Sequence, residues 1–231
     1  MSMPPVIRER VIPAVAATGV IALLGAAGWY GYDTVANRPV REVLFAGDVE
    51  ALPKDVLDEF ARELKKRTVG TSLASVRENA RRIPWVRDAA VRREWPDAIE
   101  VRFEAYRALA RWNDKALVSP AGEIFAAATD SELPSFHGPD ASAAAMASTW
   151  PALVAALAPL DSAIRDVRVS PRGAWEVLLA SGLRIVIGRD EVASRARRFA
   201  AAWPQLAASG VDTRYADLRY PNGFALKTTR R

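Results

Sequence analysis

Side chains that commonly catalyse reactions or bind metals are scarce in this sequence. Its 231 residues include one histidine, His137, and no cysteine. A metal site with two imidazoles, a thiolate metal site, a thiol nucleophile and a disulfide framework are therefore excluded. His137 stands in the stretch LPSFHGP, which is typical of a loop. Asp140 is close to it in sequence, but a single aspartate beside a single histidine does not make a catalytic triad.

Two pairs of carboxylates are the remaining candidates for acid–base chemistry. Glu94 with Asp97, or Glu100 with Glu104, could act as the acid and base of a hydrolase. They alternate with arginines along the chain, which favours solvated surfaces instead. The sequence contains no G-x-x-x-x-G-K-[ST], G-x-G-x-x-G, H-E-x-x-H or G-x-S-x-G motif. We therefore predict a non-enzymatic protein with no catalytic residues, no metal and no cofactor.

The formal net charge is +5, and basic proteins often bind nucleic acids. The charge is not concentrated, however: residues 1–39 carry 3 basic and 2 acidic side chains, residues 40–107 carry 14 and 13, and residues 108–231 carry 15 and 12. The arginines at 195, 197 and 198 could form a phosphate site, but a solvated helix face is the more common explanation. We predict no nucleic-acid partner and no small-molecule substrate.

Val11–Tyr32 contains no charged residue and is predicted to be a single transmembrane helix. At 1.5 Å per residue, such a helix spans the roughly 30 Å of a hydrocarbon core. Trp29, Tyr30 and Tyr32 close the run, as interfacial aromatic residues do. A cleaved signal peptide with a small-residue site near Ala27 is the alternative. The positive charges on the two sides nearly balance, so local charge does not decide the orientation.

Residues 40–107 predict a small α+β domain of the order strand, helix, helix, strand, strand. Val40–Val49 has the pattern of a strand, and the apolar residues after Pro53 recur at helical spacing. Ser75 and Glu78 have the spacing of a capping box, which places the start of the second helix at Ser75. Two alternating strands follow, separated by a Pro96-Asp97 turn. Core packing is the expected role of the tryptophans at 85, 95 and 112.

Residues 108–231 predict a mostly antiparallel sheet domain with flanking helices. Short strands and glycine-containing turns alternate through most of this stretch. The expected strands and helices are strands within Ala116–Phe125, a helix at Ala141–Leu157, strands at Ile164–Ser170, Ala174–Leu179 and Leu183–Ile187, a helix at Asp190–Leu206, and strands at Tyr215–Tyr220 and Phe224–Lys227. The last strand closes the chain, so we expect it at a sheet edge.

Several motifs in this chain resemble the FtsQ/DivIB family of bacterial cell-division proteins. The stretch IPWVRDAAVRREWPDAIEVRFEAYRALARWND carries the first of them, PRGAW at Pro171–Trp175 a second, and DLRYPNGFA at Asp217–Ala225 a third. Their order and spacing agree with the family along essentially the whole chain. The resemblance implies that residues 40–107 are a POTRA domain, a module that docks other polypeptides, and that residues 108–231 are the C-terminal β domain of the family.

The resemblance also implies a function and a location. It implies a scaffold for divisome assembly, anchored as a single-pass type II protein in the bacterial inner membrane, with Met1–Arg10 in the cytoplasm and the bulk in the periplasm at the division septum. Implied partners are the small division proteins FtsB and FtsL and other divisome members. By motif, the partner-contact positions are Arg172, Arg219, Tyr220 and Asn222.

Three other interpretations stay open at this level. The chain could be an anchored or secreted cell-wall hydrolase, or a POTRA-containing component of a protein translocation system. Within the scaffold interpretation, Tyr220 could merely pack against the sheet and Arg219 could be solvated.

Overall fold

The computed structural model describes residues 21–34, 36–208, 212–221 and 223–229. The chain divides into two compact units, one that extends to Ala105 and one that begins at Tyr106. Each unit has its own cluster of buried apolar side chains. The α+β class predicted from the sequence is confirmed.

The helix that precedes the first unit's sheet, α1, comprises residues 21–34 of the described chain. Its apolar side chains are not covered by the rest of the protein: Ile21, Leu23 and Leu24 are 70%, 73% and 69% exposed. Residues 11–20 of the predicted transmembrane segment lie outside the described residues. An apolar helix that buries none of these three side chains in the protein is what a lipid-facing segment requires.

The first unit packs two helices on one face of a three-stranded sheet. Its sheet has the order β1-β3-β2, in which β1 pairs with β3 in parallel and β2 pairs with β3 antiparallel. The elements are β1 (Glu42–Gly47), α2 (Lys54–Lys65), α3 (Leu73–Arg81), β2 (Val86–Glu94) and β3 (Ala98–Ala105). Helix α2 buries Leu57 and Leu64, and α3 buries Val76 and Ala80, against the apolar face of β3.

Two predictions for the first unit are wrong. Helix α3 starts at Leu73, two residues earlier than predicted, because Ser72 rather than Ser75 is the N-cap and its Oγ accepts a hydrogen bond from the backbone N–H of Ser75. Trp95 does not pack in a core, since 58% of it is exposed. Trp112, by contrast, is 2% exposed and donates its indole N–H to Asp140 over 2.9 Å.

The second unit is built on a nine-stranded sheet of the order β12-β11-β10-β9-β8-β7-β4-β5-β6. Most neighbouring strands are antiparallel, but β4–β7, β7–β8 and β10–β11 are parallel. The elements are β4 (Ala110–Trp112), β5 (Ala116–Val118), β6 (Ile124–Phe125), β7 (Ser135–His137), α4 (Ala143–Leu157), β8 (Ile164–Val169), β9 (Trp175–Leu179), β10 (Arg184–Gly188), α5 (Val192–Ala208), β11 (Asp212–Asp217) and β12 (Ala225–Thr229).

Helices α4 and α5 bury the apolar side chains of this sheet. Met146 and Leu153 of α4 and Phe199 of α5 are fully buried with Phe136 and Ile185 of the strands. Among the described residues, the helical segment Asp140–Leu160 is long and apolar enough to cross a membrane. Because its apolar side chains form part of this core, we assign it to the interior of the second unit.

Two glycines with the same backbone conformation allow a matched test of this packing. Gly122 and Gly173 have φ of +82° and +79°, so alanine is strained at both. A Cβ at Gly122 would lie 2.4 Å from Cα of Ala144 in α4, whereas a Cβ at Gly173 has its nearest such contact at 4.0 Å. We expect Gly122→Ala to lower the free energy of unfolding by about 2 kcal/mol more than Gly173→Ala. Urea denaturation checks this; equal losses would contradict the packing of α4 on this turn.

Residues 40–107 should fold without the rest of the chain. The buried apolar side chains of the first unit all lie between Val40 and Phe103. We therefore expect a fragment of residues 40–107 to melt in one cooperative transition, because its core is complete. A disordered fragment in circular dichroism and calorimetry would show that this boundary is misplaced.

Candidate partner-binding site

Strand pairing brings the sequence motifs of the second unit to one end of its sheet. Gly188 at the end of β10 pairs with Trp175 at the start of β9, and Val186 of β10 pairs with Asp217 at the end of β11. Arg172 lies in the turn just before β9. Because neighbouring strands are about 4.8 Å apart, β9 and β11 lie about 10 Å from each other. The Pro171–Gly173 turn and the residues after Asp217 therefore share one end of the sheet.

Arg219 is fixed in place by the carboxylate of Asp217. Its Nε donates to Oδ1 over 2.9 Å and its Nη2 donates to Oδ2 over 2.6 Å, a bidentate pair. The Asp217 side chain is 8% exposed and the Arg219 side chain is 61% exposed. The guanidinium holds the pKa of Asp217 below its usual range, and the carboxylate raises the pKa of Arg219. The prediction from sequence missed Asp217 as the residue that orients Arg219, although the Asp-x-Arg spacing carries that information.

Tyr220 lies in a loop, not in a strand as predicted, because β11 ends at Asp217. It is 53% exposed, so most of its ring is available for contact. Two arginines of α5 donate hydrogen bonds to backbone carbonyls of this loop. Arg198 donates to the carbonyl of Pro221, and Arg195 donates to the carbonyl of Arg219 over 3.4 Å.

The arginines of α5 therefore have a structural role within the protein. Arg195 also donates to the carbonyl of Ile187 over 3.2 Å, and its side chain is 14% exposed. The prediction of a solvated helix face is wrong for Arg195, while Arg197 and Arg198 are exposed. A phosphate site here would compete with the backbone carbonyls that already accept these hydrogen bonds.

The other two predicted contact residues are Arg172 and Asn222. Arg172 is exposed in the turn between β8 and β9, where Gly173 donates its backbone N–H to Ser170 over 2.8 Å. Asn222 lies outside the described residues. Arg172, Arg219 and Tyr220 thus form an exposed group of two cations and one aromatic ring at the end of the sheet.

Strand β12 lies at the edge of the sheet, as predicted for the strand that closes the chain. Its inner neighbour is β11, with Ala216 opposite Leu226 and Asp217 opposite Ala225. An edge strand presents N–H and C=O groups along its outer side, and an extended segment of another polypeptide can pair with them. Because β11 ends at Asp217, this edge begins directly beside Arg219 and Tyr220.

His137 occupies a strand, not the predicted loop. It ends β7 between β4 and β8, and its side chain is 19% exposed. Its Nε2 lies 3.5 Å from Oδ1 of Asp166, and its Nδ1 lies 3.9 Å from Oδ2 of Asp114. Among the described residues, no group of three or more histidine, aspartate or glutamate side chains is arranged to hold a metal ion.

The carboxylate pairs considered from sequence contact arginines. Oε2 of Glu100 accepts from Nη2 of Arg92 over 2.6 Å, and Oε1 of Glu104 lies 2.6 Å from Nη1 of Arg87. Glu94 also contacts Arg92, over 2.8 Å. The side chain of Glu100 is 12% exposed, so the prediction of a solvated carboxylate is wrong there. The contacts of Glu100 and Glu104 are ion pairs between β2 and β3, whereas Glu94 and Arg92 lie two residues apart on β2.

The Asp217–Arg219 pair makes the stability of the second unit pH-dependent. The pKa of Asp217 is lower in the folded chain than its unfolded value of about 3.9, so the ionised carboxylate stabilises the fold above that value. This stabilisation is lost as the pH falls through the folded pKa. We expect Asp217→Asn to lower the melting temperature at about pH 6 by several degrees, and we expect this difference to shrink as the pH falls below about 3.9.

The exposed aspartate Asp190 provides the control for that measurement. Asp190→Asn should leave the melting temperature nearly unchanged at both pH values, since the residue is solvated. If the melting temperatures of wild type and Asp217→Asn differ by the same amount at every pH, the Asp217–Arg219 pair is not the source of the pH dependence.

Comparison with known families gives matches in both units. Residues 38–104 match the family described as "POTRA domain, FtsQ-type", and residues 110–219 match the family described as "Cell division protein FtsQ/DivIB, C-terminal". The first match covers the two-helix unit and the second covers β4 through β11, including Arg172 and Arg219.

Individual proteins are similar over nearly the full chain. A protein of Burkholderia pseudomallei (strain K96243) named "Cell division protein FtsQ" is 38% identical over 217 residues, which cover 90% of this chain and 87% of the relative. A protein of the same name from Bordetella pertussis is 32% identical, with coverage of 94% and 90%. Another from Neisseria gonorrhoeae is 31% identical, with coverage of 89% and 86%.

Proposed function

The chain belongs to the FtsQ/DivIB family of bacterial cell-division proteins, and from that premise we propose that it is a non-enzymatic scaffold of the divisome. In this role it binds FtsB-type and FtsL-type partners outside the cytoplasmic membrane and so links early and late division proteins. It needs no cofactor, metal or small-molecule substrate for this task. Neither the hydrolase nor the translocation alternative is favoured by a feature of the described residues.

The observation that carries the proposal is the exposed edge beside a positioned group of contact residues. Strand β12 offers its outer backbone groups for strand addition. Arg219, oriented by Asp217, and Tyr220 lie where that edge begins. Arginine and tyrosine are enriched among residues that dominate binding energy, because a guanidinium can bind a carboxylate with two hydrogen bonds and a tyrosine ring is large and rigid.

Arg172 extends the same surface across the end of the sheet. Its exposed guanidinium suits an acidic side chain of a partner that continues past the β12 edge towards β9. By the family's motif, Asn222 belongs to this surface as well. The proposed partner therefore contributes an extended strand for β12 and at least one carboxylate for the arginines.

The location that goes with this function is the inner membrane at the division septum. Met1–Arg10 would stay in the cytoplasm, Val11–Tyr32 would span the membrane, and the two units would lie in the periplasm. The exposed apolar side chains of α1 support a membrane anchor. N-terminal sequencing of the mature protein tests this: an intact N-terminus agrees with an anchor, and a start after Ala27 or Gly28 would show a cleaved signal peptide.

The experiment that tests the function combines isolation and imaging. A tagged full-length chain is purified from membranes of dividing cells, and a fluorescent fusion of it is imaged. We expect FtsB-type and FtsL-type proteins to copurify and the fluorescence to concentrate at the septum. Uniform fluorescence around the cell, with neither partner copurified, would refute the scaffold.

A further inference from the structure

The loop between α2 and α3 is bound to the segment of chain that follows α1. The backbone N–H of Gly70 donates to the carbonyl of Ala36 over 2.7 Å, and that of Val69 donates to Arg38 over 2.8 Å. In the opposite direction, Val40 donates to the carbonyl of Arg67 over 3.0 Å. These three hydrogen bonds hold the α2–α3 loop against the chain directly after the predicted transmembrane segment.

The turn between β2 and β3 reaches the same place. The backbone N–H of Arg41 donates to the carbonyl of Asp97 over 2.9 Å. The side chain of Arg93 at the end of β2 donates to the carbonyls of Val69 and Thr71 over 2.8 and 2.9 Å. The α2–α3 loop, the β2–β3 turn and the chain after α1 are therefore one structure. We call it the proximal end and define it as residues 36–41, 65–72 and 94–97.

The proximal end lies within a few ångström of a bilayer surface if Val11–Tyr32 spans the membrane. At 1.5 Å per helical residue, Ala36 is about 6 Å beyond Tyr32 along the axis. The polar headgroup layer of each leaflet is roughly 5–7 Å thick, because a bilayer measures about 40–45 Å with headgroups and about 30 Å without them. The carbonyl that accepts from Gly70 therefore lies at the depth of the headgroups.

The chemistry of the proximal end suits such a surface. Trp95 is 58% exposed, although tryptophans are usually well buried in soluble domains. Tryptophan is enriched at membrane interfaces, where an apolar ring and an N–H group both find suitable surroundings. The proximal end also carries five cations, at 38, 41, 65, 66 and 67, against two carboxylates, at 94 and 97. Arg38, Lys65 and Lys66 are exposed; Lys66 also contacts Glu63.

We propose that the proximal end of the first unit rests on the outer leaflet of the membrane, with Trp95 at the interface and Arg38 and Lys65 against anionic phospholipid headgroups. This inference rests on the membrane anchor in the proposed function. The contact would act together with the single transmembrane helix to fix the orientation of the first unit relative to the membrane. Anionic lipid is the partner that the excess of cations selects.

The chain has no cysteine, so a single introduced cysteine can carry a spin label without background. The label is placed at the exposed Thr68 of the α2–α3 loop, with the exposed Glu50 before α2 as the matched position outside the proximal end. The full-length protein is reconstituted in vesicles of phosphatidylcholine with or without phosphatidylglycerol. Flotation measures membrane insertion, and the accessibility of the label to lipid-soluble and water-soluble relaxation agents measures its depth.

We expect the label at Thr68→Cys to report headgroup contact in vesicles with phosphatidylglycerol, and the label at Glu50→Cys to report water. Trp95→Ala should shift the Thr68→Cys label towards water, while Tyr220→Ala, which removes an exposed aromatic ring from the second unit, should not. Arg38→Gln combined with Lys65→Gln should weaken docking about fivefold per charge in anionic vesicles. The same double change should have little effect in phosphatidylcholine alone.

Failure of the inference and failure of the anchor give different results. If the protein does not float with vesicles, it has no membrane anchor, and the proposed membrane contact of the proximal end is refuted as well. If the protein floats but the Thr68→Cys label is as exposed to water as the Glu50→Cys label, the anchor stands and the membrane contact is refuted. Equal contact in both lipid compositions would refute the role assigned to the cations.

Discussion

Tyr220→Ala should abolish detectable binding of an FtsB-type partner at micromolar protein, while the melting curve moves little. The ring is 53% exposed, so the fold loses few contacts when it is removed. In a complex, the same ring would be buried beside the β12 edge. Truncating a residue that dominates an interface costs about 2 kcal/mol or more, which is roughly thirtyfold in affinity. A pull-down with the full-length chain and a parallel thermal melt measure the two effects.

Trp95→Ala is the matched control for this experiment. It also removes an exposed aromatic ring, but from the first unit, and should leave partner binding unchanged. Two results would contradict the proposal that Tyr220 contacts the partner. One is binding of Tyr220→Ala at wild-type strength. The other is unfolding of Tyr220→Ala, which would mean that the tyrosine is needed to pack the sheet.

Arg172→Glu should weaken the same complex by at least tenfold through charge reversal. The side chain is exposed in the β8–β9 turn, so the substitution should not unfold the protein. If the partner places a carboxylate there, the variant sets two negative charges against each other. Like charges facing each other across an interface cost several kcal/mol. Titration calorimetry at two salt concentrations should find a large loss at low salt and a smaller one at high salt.

Arg107→Glu supplies a control with the same change of net charge, because Arg107 is exposed near the start of the second unit. It should bind as wild type does. A partner variant with arginine in place of the contacting carboxylate should restore binding to Arg172→Glu. If no acidic position of the partner can be exchanged in this way, Arg172 does not make the proposed contact.

Local sequence patterns predict most of the helices and strands, but they do not predict strands that depend on pairing with distant parts of the chain. The amphipathic spacing of Val56, Phe60 and Leu64 fixes α2, because the pattern lies within a few turns of one helix. The sequence around His137 predicts a loop, but these residues form strand β7. It is three residues long and is held by parallel pairing with β4 and β8, whose partners lie far away in sequence. No local pattern around His137 contains that information.

Family motifs predict the contact residues, and the structure gives the arrangement of Arg172, Arg219 and Tyr220. Sequence placed Tyr220 in a strand, whereas the carboxylate of Asp217 accepts the backbone N–H of Arg219 over 3.1 Å where the strand ends. The burial of Trp95 is also predicted wrongly from the sequence. Its alternating pattern with Arg93 suits a core position, but the strand ends at Glu94 and the next residue is free to face outwards.

Hydrogen exchange on the full-length chain, with and without the FtsB-type partner, determines whether a strand of the partner pairs with β12. Backbone amides on the outer side of an edge strand exchange readily until another strand pairs with them. We predict that the partner slows exchange in β12 (Ala225–Thr229) and in the loop with Arg219 and Tyr220, and leaves β6 at the opposite edge of the sheet unchanged. Unchanged exchange in β12 upon formation of the complex would show that the partner does not pair with this strand.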